Sequence, residues 1–92
     1  MIERTITVVP EAGLHARPAS KFVETANEHD SEITIAPENG DSVNAASMLA
    51  VTGLGVKSGE RVVVAADGPD EEAAVDALEA VLSTPEGDES EE

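Results

Sequence analysis

The stretch "SEITIAPENGDSVNA", residues 31–45, decides the class of this chain. Ile33 and Ile35 alternate with polar or small neighbours, the period of two that belongs to a β-strand with one buried face. Asn39 and Gly40 follow, a pair that tolerates positive φ and signals a hairpin. A strand over residues 31–37, a turn and a third strand over residues 41–45 are therefore expected, and an all-helical fold is excluded.

On the N-terminal side, "RTITVV" (4–9) alternates in the same way, is rich in β-branched residues and is stopped by Pro10, giving a first strand. Between these strands, Ala19, Phe22, Val23 and Ala26 recur at i, i+3, i+4 and i+7, which predicts an amphipathic helix opening at Pro18 and fraying near residues 27–30. On the C-terminal side, "SMLAVTGLG" (47–55) reads as a short helix capped by Ser47 and stopped at Gly53 or Gly55. "ERVVVAAD" (60–67) is nearly continuous in apolar residues and predicts a strand inside its sheet. "GPDEEAAVDALEAVLS" (68–83) predicts a long helix with an acidic first turn and Ala74, Leu78, Val81 and Leu82 along one face. The order βαββαβα, with tight strand connections and helices able to share one face, points to an α+β open-faced sandwich.

The chain has 92 residues, enough for one small domain, and no cysteine, so neither disulfides nor thiolate metal sites contribute. Its N-terminus lacks the basic-then-apolar pattern of a signal peptide. No apolar run approaches the roughly 20 residues that span a bilayer. A soluble, cytoplasmic protein is expected. Twenty acidic residues against five Lys and Arg give a net charge of −15, which repels nucleic acid and anionic membranes. An acidic, lysine-poor surface is also what a halophilic cytosol selects, because high salt screens the self-repulsion. The expected division is a domain over residues 1–85 and a mobile acidic tail over 86–92.

The chemistry concentrates in "GLHARPAS" (13–20). His15 stands where a helix begins, and a helix N-terminus offers unpaired N–H groups and a positive dipole end to an anion. Arg17 adds a fixed cation suited to phosphate oxygens. The imidazole is a candidate nucleophile, and that positive potential would stabilise a phosphoryl group once attached. A metal site fits less well, because the other histidine, His29, falls near the far end of the same helix and reads as a C-terminal cap. "GLGVKSG" (53–59) fails the phosphate-loop pattern, since Val56 stands where a glycine is required, and reads as a turn. "DSV" (41–43) is similar to the serine motif of acyl carrier proteins, but those are all-helical. Asp70, Glu71 and Glu72 read as a solvated helix start.

"GLHARPAS", together with the strand and helix segments that follow in order through residue 78, resembles the histidine-containing phosphocarrier family, HPr, of the phosphoenolpyruvate:sugar phosphotransferase system. The resemblance covers the chain except its acidic tail. It implies four antiparallel strands with three helices on one face. It also implies that His15 accepts a phosphoryl group on Nδ1 from phosphorylated enzyme I and passes it to a sugar-specific IIA component. Arg17 and the backbone amides of Ala16 and Arg17 would steady that group, without a metal or organic cofactor, in a monomeric carrier rather than an enzyme. Ser47 falls where some relatives carry a regulatory phosphorylation site, with Ala46 in place of their common lysine. Relatives often ring the histidine with lysines; here Lys21 joins Arg17, and apolar Met48 and Leu49 on the short helix are expected to carry part of the partner surface, against the alternative that they are partly packed in the core. The alternatives are a carrier for dihydroxyacetone phosphorylation, a regulatory relay, or an acidic module that binds an anion without transferring it.

Overall fold

The computed structural model describes residues 1–84. In chain order it contains β1 (Ile2–Thr7), α1 (Ala16–Asn27), β2 (Glu32–Pro37), β3 (Val43–Asn44), α2 (Met48–Gly53), β4 (Arg61–Asp67) and α3 (Glu71–Ser83). The strands form one antiparallel sheet in the order β1-β4-β2-β3. The three helices pack over one face of it, the expected α+β open-faced sandwich. The acidic tail expected over residues 86–92 lies outside the described residues.

β4 is central, as its apolar run implies. Val64 pairs with Arg4 of β1 on one side and with Ile35 of β2 on the other. Val62, Val64 and Ala66 point into the core, where they meet Ile6, Ile33 and Ile35 under the helices. α1 buries Pro18, Ala19, Phe22 and Ala26. Phe22, fully enclosed, contributes about 2–3 kcal/mol by removal of its ring from water. α3 buries Ala74, Val75, Leu78 and Leu82, so Val75 joins the expected face and Val81 is only partly covered. On the same face of β1 as Ile6, Arg4 ties the strand to α3 through Asp76 at 2.6 Å and Glu79 at 2.7 Å.

Several boundaries differ from the sequence expectation; β2 and β4 each start one residue later, and α3 starts at Glu71 rather than at residue 68. β1 runs two residues earlier, because after Thr7 the chain leaves the β4 ladder and the Val9 N–H donates instead to Leu82 O at the end of α3. α1 starts at Ala16 rather than Pro18. The third strand shrinks to Val43–Asn44, and Asn39-Gly40 does not form a two-residue hairpin. Gly40 N–H bonds to Pro37 O at 3.0 Å, in a turn where neither Asn39 nor Gly40 has positive φ. The first β2–β3 pair is Ile35 with Val43, which leaves a longer loop between them.

Candidate functional site

The chain reaches the start of α1 through a tightly held loop. Gly13 N–H bonds to Pro10 O at 2.9 Å and Leu14 N–H to Val56 O at 3.0 Å. Gly13 has φ +73, and a Cβ there would stand 2.5 Å from Val56 O, so both conformation and space require glycine. Leu14 then plugs the core with no exposed surface. A buried leucine on one side and a helix on the other leave His15 little freedom of placement.

His15 is the N-cap of α1, extended at φ −138 and ψ 164, and half-buried. Its side chain does not cap the helix, whereas capping residues such as Ser or Asp commonly do. The ring is therefore not spent on its own helix. The next residue, Ala16, has φ +56, the one non-glycine residue with positive φ among the described residues. An L-residue in this region costs about 1–2 kcal/mol, and such strain persists where the surrounding structure imposes it.

The backbone donors at this helix start are equally constrained. Ala19 N–H turns back to His15 O at 3.5 Å, and Pro18 has no N–H at all. Ala16 and Arg17 remain, and among the described residues neither N–H has a hydrogen-bond partner. Arg17 is exposed, with no ion pair among the described residues, so its guanidinium accompanies two open amides at the positive end of a 12-residue helix.

His29 is placed differently. Its Nδ1–H donates to Thr25 O at 2.9 Å, and it lies beyond the C-terminal end of α1. A helix of 12 residues is about 18 Å long, so the two histidines share no site. Among the described residues, no group of three or more His, Asp or Glu is placed to hold a metal ion. His29 lines a cleft of about 480 Å³ with Asn27, Ser31, Ile33, Ser42 and Asn44, at the end of α1 away from His15.

The basic residues are unevenly used. Arg4 is engaged by Asp76 and Glu79, and Arg61 by Glu38 at 3.1 Å. Arg17 and Lys21 are exposed within the first turns of α1, and Lys57 belongs to the loop pressed against Gly13. Ser47 caps α2 by accepting the Ala50 N–H at 3.3 Å, as expected. Beside it Met48 is 40% and Leu49 85% exposed, an apolar surface at the start of a short helix.

Sequence reasoning missed two supports. The "GLGVKSG" turn is the shelf on which the His15 loop rests, and the only local signal for it is its glycines. Asp70 and Glu71 are not simply solvated. Asp70 accepts from Asp30 N–H, Ser31 N–H and the Ser31 hydroxyl, while Glu71 accepts from Gly68 N–H.

The family model for the PTS HPr component phosphorylation site matches residues 2–84. The chain belongs to the HPr family. The phosphocarrier protein HPr of the halophilic archaeon Haloferax volcanii is 64% identical over 86 residues, covering 92% of this chain and 97% of that protein. The phosphocarrier protein HPr of Streptomyces coelicolor is 51% identical over 78 residues, covering 85% and 84%. Among solved structures, HPr-C-His from Thermoanaerobacter tengcongensis superposes with a TM-score of 0.85 at 43% identity, covering 89% of this chain and 91% of that chain. The acidic, lysine-poor chain thus has a relative in a halophile. No helix among the described residues is long and apolar enough to cross a membrane.

Proposed function

We propose that this phosphocarrier of the phosphotransferase system takes a phosphoryl group from phosphorylated enzyme I on Nδ1 of His15 and delivers it to a IIA component during sugar uptake. The reading places it in the cytoplasm, acting as a monomer. The bond from phosphorus to the donor breaks as the bond to Nδ1 forms, and the step reverses toward the acceptor. Phosphoryl transfer asks the protein mainly for positioning and for charge stabilisation.

The observation that carries this reading is the pair of open amides at Ala16 and Arg17, directly after a histidine whose ring is not committed to its helix. Two N–H donors, the dipole end and the Arg17 guanidinium would share the charge of a phosphoryl group on His15. Neither a metal nor an organic cofactor enters the step.

Partner docking is assigned to Met48 and Leu49, with Lys21 and Arg17 supplying attraction. Apolar contact suits a surface in concentrated salt, where charge attraction is screened over a few ångströms. A phosphoryl group on Ser47 would add roughly two negative charges beside this patch and weaken docking.

Incubation with phosphoenolpyruvate and enzyme I, followed by intact mass measurement, tests the reading. A carrier gains one acid-labile phosphoryl group, which passes on to IIA. An anion-binding module gains none, and that result would overturn the proposal. Transfer to a dihydroxyacetone kinase component instead of IIA would move the chain to a different branch of the system.

A further inference from the structure

One peptide unit joins the His15 loop to a carboxylate that the phosphoryl chemistry does not otherwise use. The Val56 carbonyl accepts the Leu14 N–H at 3.0 Å. The N–H of that same peptide, on Lys57, donates to Glu60 Oε1 at 2.9 Å. The series Leu14 N–H to Val56 C=O, then Lys57 N–H to the Glu60 carboxylate, is a continuous hydrogen-bonded relay. A negative acceptor at one end polarises the intervening peptide and makes its oxygen a better acceptor at the other.

Glu60 is itself held in place. Its N–H closes the turn onto Lys57 O at 3.1 Å, with Gly59 at φ +91, and its carbonyl accepts the Val8 N–H at 2.9 Å. Gly59 N–H returns to Val8 O at 2.7 Å, and the Ser58 hydroxyl donates to Val9 O at 3.3 Å. The turn is thereby clamped to the segment that leads into the His15 loop. Gly13 lies flat against the same peptide, with its Cα facing Val56 O and Lys57 Cα.

We propose that Glu60 is a positioning residue for phosphoryl transfer: through the Val56–Lys57 peptide it fixes Leu14, and so the placement of the neighbouring His15. This rests on the reading of His15 as the phosphoryl acceptor. It also explains why a carboxylate is kept near a site that must attract an anion. Its charge is directed at a backbone N–H in the supporting loop, at Lys57.

Backbone amide exchange by NMR on the full, unphosphorylated chain tests the relay without any phosphoryl chemistry. In Glu60→Ala, Leu14 N–H exchange should accelerate by about three- to tenfold, the loss expected of one charge-assisted hydrogen bond at an exposed site. Core amides such as that of Val64 serve as the reference, so that global loosening is subtracted. Glu60→Gln, which keeps an acceptor of the same reach but not the charge, should restore only part of the protection. Glu60→Asp, which keeps the charge and shortens the reach, should not. In parallel, the initial rate of phosphoryl acceptance from enzyme I should fall in the Ala and Asp variants and recover in part in Gln. Unchanged Leu14 exchange in Glu60→Ala overturns the relay. Faster exchange with unaltered phosphoryl acceptance overturns the positioning role. Failure of the native chain to accept phosphate at all would instead refute the carrier reading, with the exchange result standing apart from it.

Discussion

Ser31 donates both its backbone N–H and its hydroxyl to one carboxylate oxygen of Asp70, at 3.0 and 2.5 Å. The other oxygen accepts the Asp30 N–H at 3.0 Å. One side chain at the start of α3 thus closes the turn between α1 and β2. Gly68 lies so near that a Cβ on it would stand 2.6 Å from Ser31 Cα. The Ser31 hydroxyl, then the Asp30 and Ser31 amides, hold the Asp70 carboxyl below its ordinary value, with the charge of His29 adding to the effect. A carboxyl depressed in the folded state stabilises the fold above the ordinary value of about 4, and the contribution is lost as pH falls through the lower folded value. Asp70→Asn should therefore lower the thermal midpoint at pH 7, with the gap from the native chain closing in strong acid. Parallel stability curves down to pH 2 would show that the carboxylate is not linked to folding.

Ala16 stores strain beside the nucleophile. Ala16→Gly should raise stability by up to about 1 kcal/mol, the left-handed cost less the extra freedom of glycine in the unfolded chain. The same change frees His15 from a fixed entry to the helix, so phosphoryl acceptance should slow. Chemical denaturation and an initial-rate assay measure the two effects. A stability equal to or below that of the native chain would contradict the strain.

The exposed apolar patch makes a separable prediction. Leu49→Ser should change stability by no more than about 0.5 kcal/mol, because the side chain is 85% exposed. The rate of transfer from enzyme I should nonetheless drop about tenfold at limiting concentrations, the scale of one interface anchor. Met48→Glu should act in the same direction. Folded Met48→Glu protein with native transfer kinetics would remove this patch from the docking surface.

A net charge of −15 predicts that salt stabilises the fold. The thermal midpoint should rise steadily from low salt to molar potassium chloride, by more than the same titration gives for a variant with several surface acids neutralised. A flat response would disconnect the acidic composition from salt tolerance.

Periodicity made the element types and their order legible, because Ile33 with Ile35 and Phe22 with Ala26 can each satisfy only one regular structure. The apolar run around Val64 located the central strand for the same reason. The boundaries escaped it. Nothing in "TVV" says that Val9 will bond to Leu82 at the end of a helix more than seventy residues later in the chain. Asn39-Gly40 is a strong hairpin signal, yet β3 is too short to pair next to it. At the site, His15, Arg17 and the capping role of Ser47 could be read locally, since a helix start imposes its own chemistry. The supports of that start could not. Glu60, Val56 and Gly13 meet only through the folded chain, and Asp70 looks like any acidic first turn until Ser31 is beside it.

Which histidine carries phosphorus is the most direct question. His29 has its Nδ1–H committed to Thr25 O and sits at the negative end of α1, where a phosphoryl group would be repelled. Among the described residues His15 has no side-chain hydrogen bond to its helix, and the two amides stand beside it. The decisive measurement is ³¹P–¹⁵N correlation on the ¹⁵N-labelled chain after incubation with phosphoenolpyruvate and enzyme I, alongside His15→Ala. The account predicts one phosphorus signal coupled to Nδ1 of His15, an unaltered His29 spectrum, and no signal in the variant. A signal on His29, or one that survives His15→Ala, would contradict it.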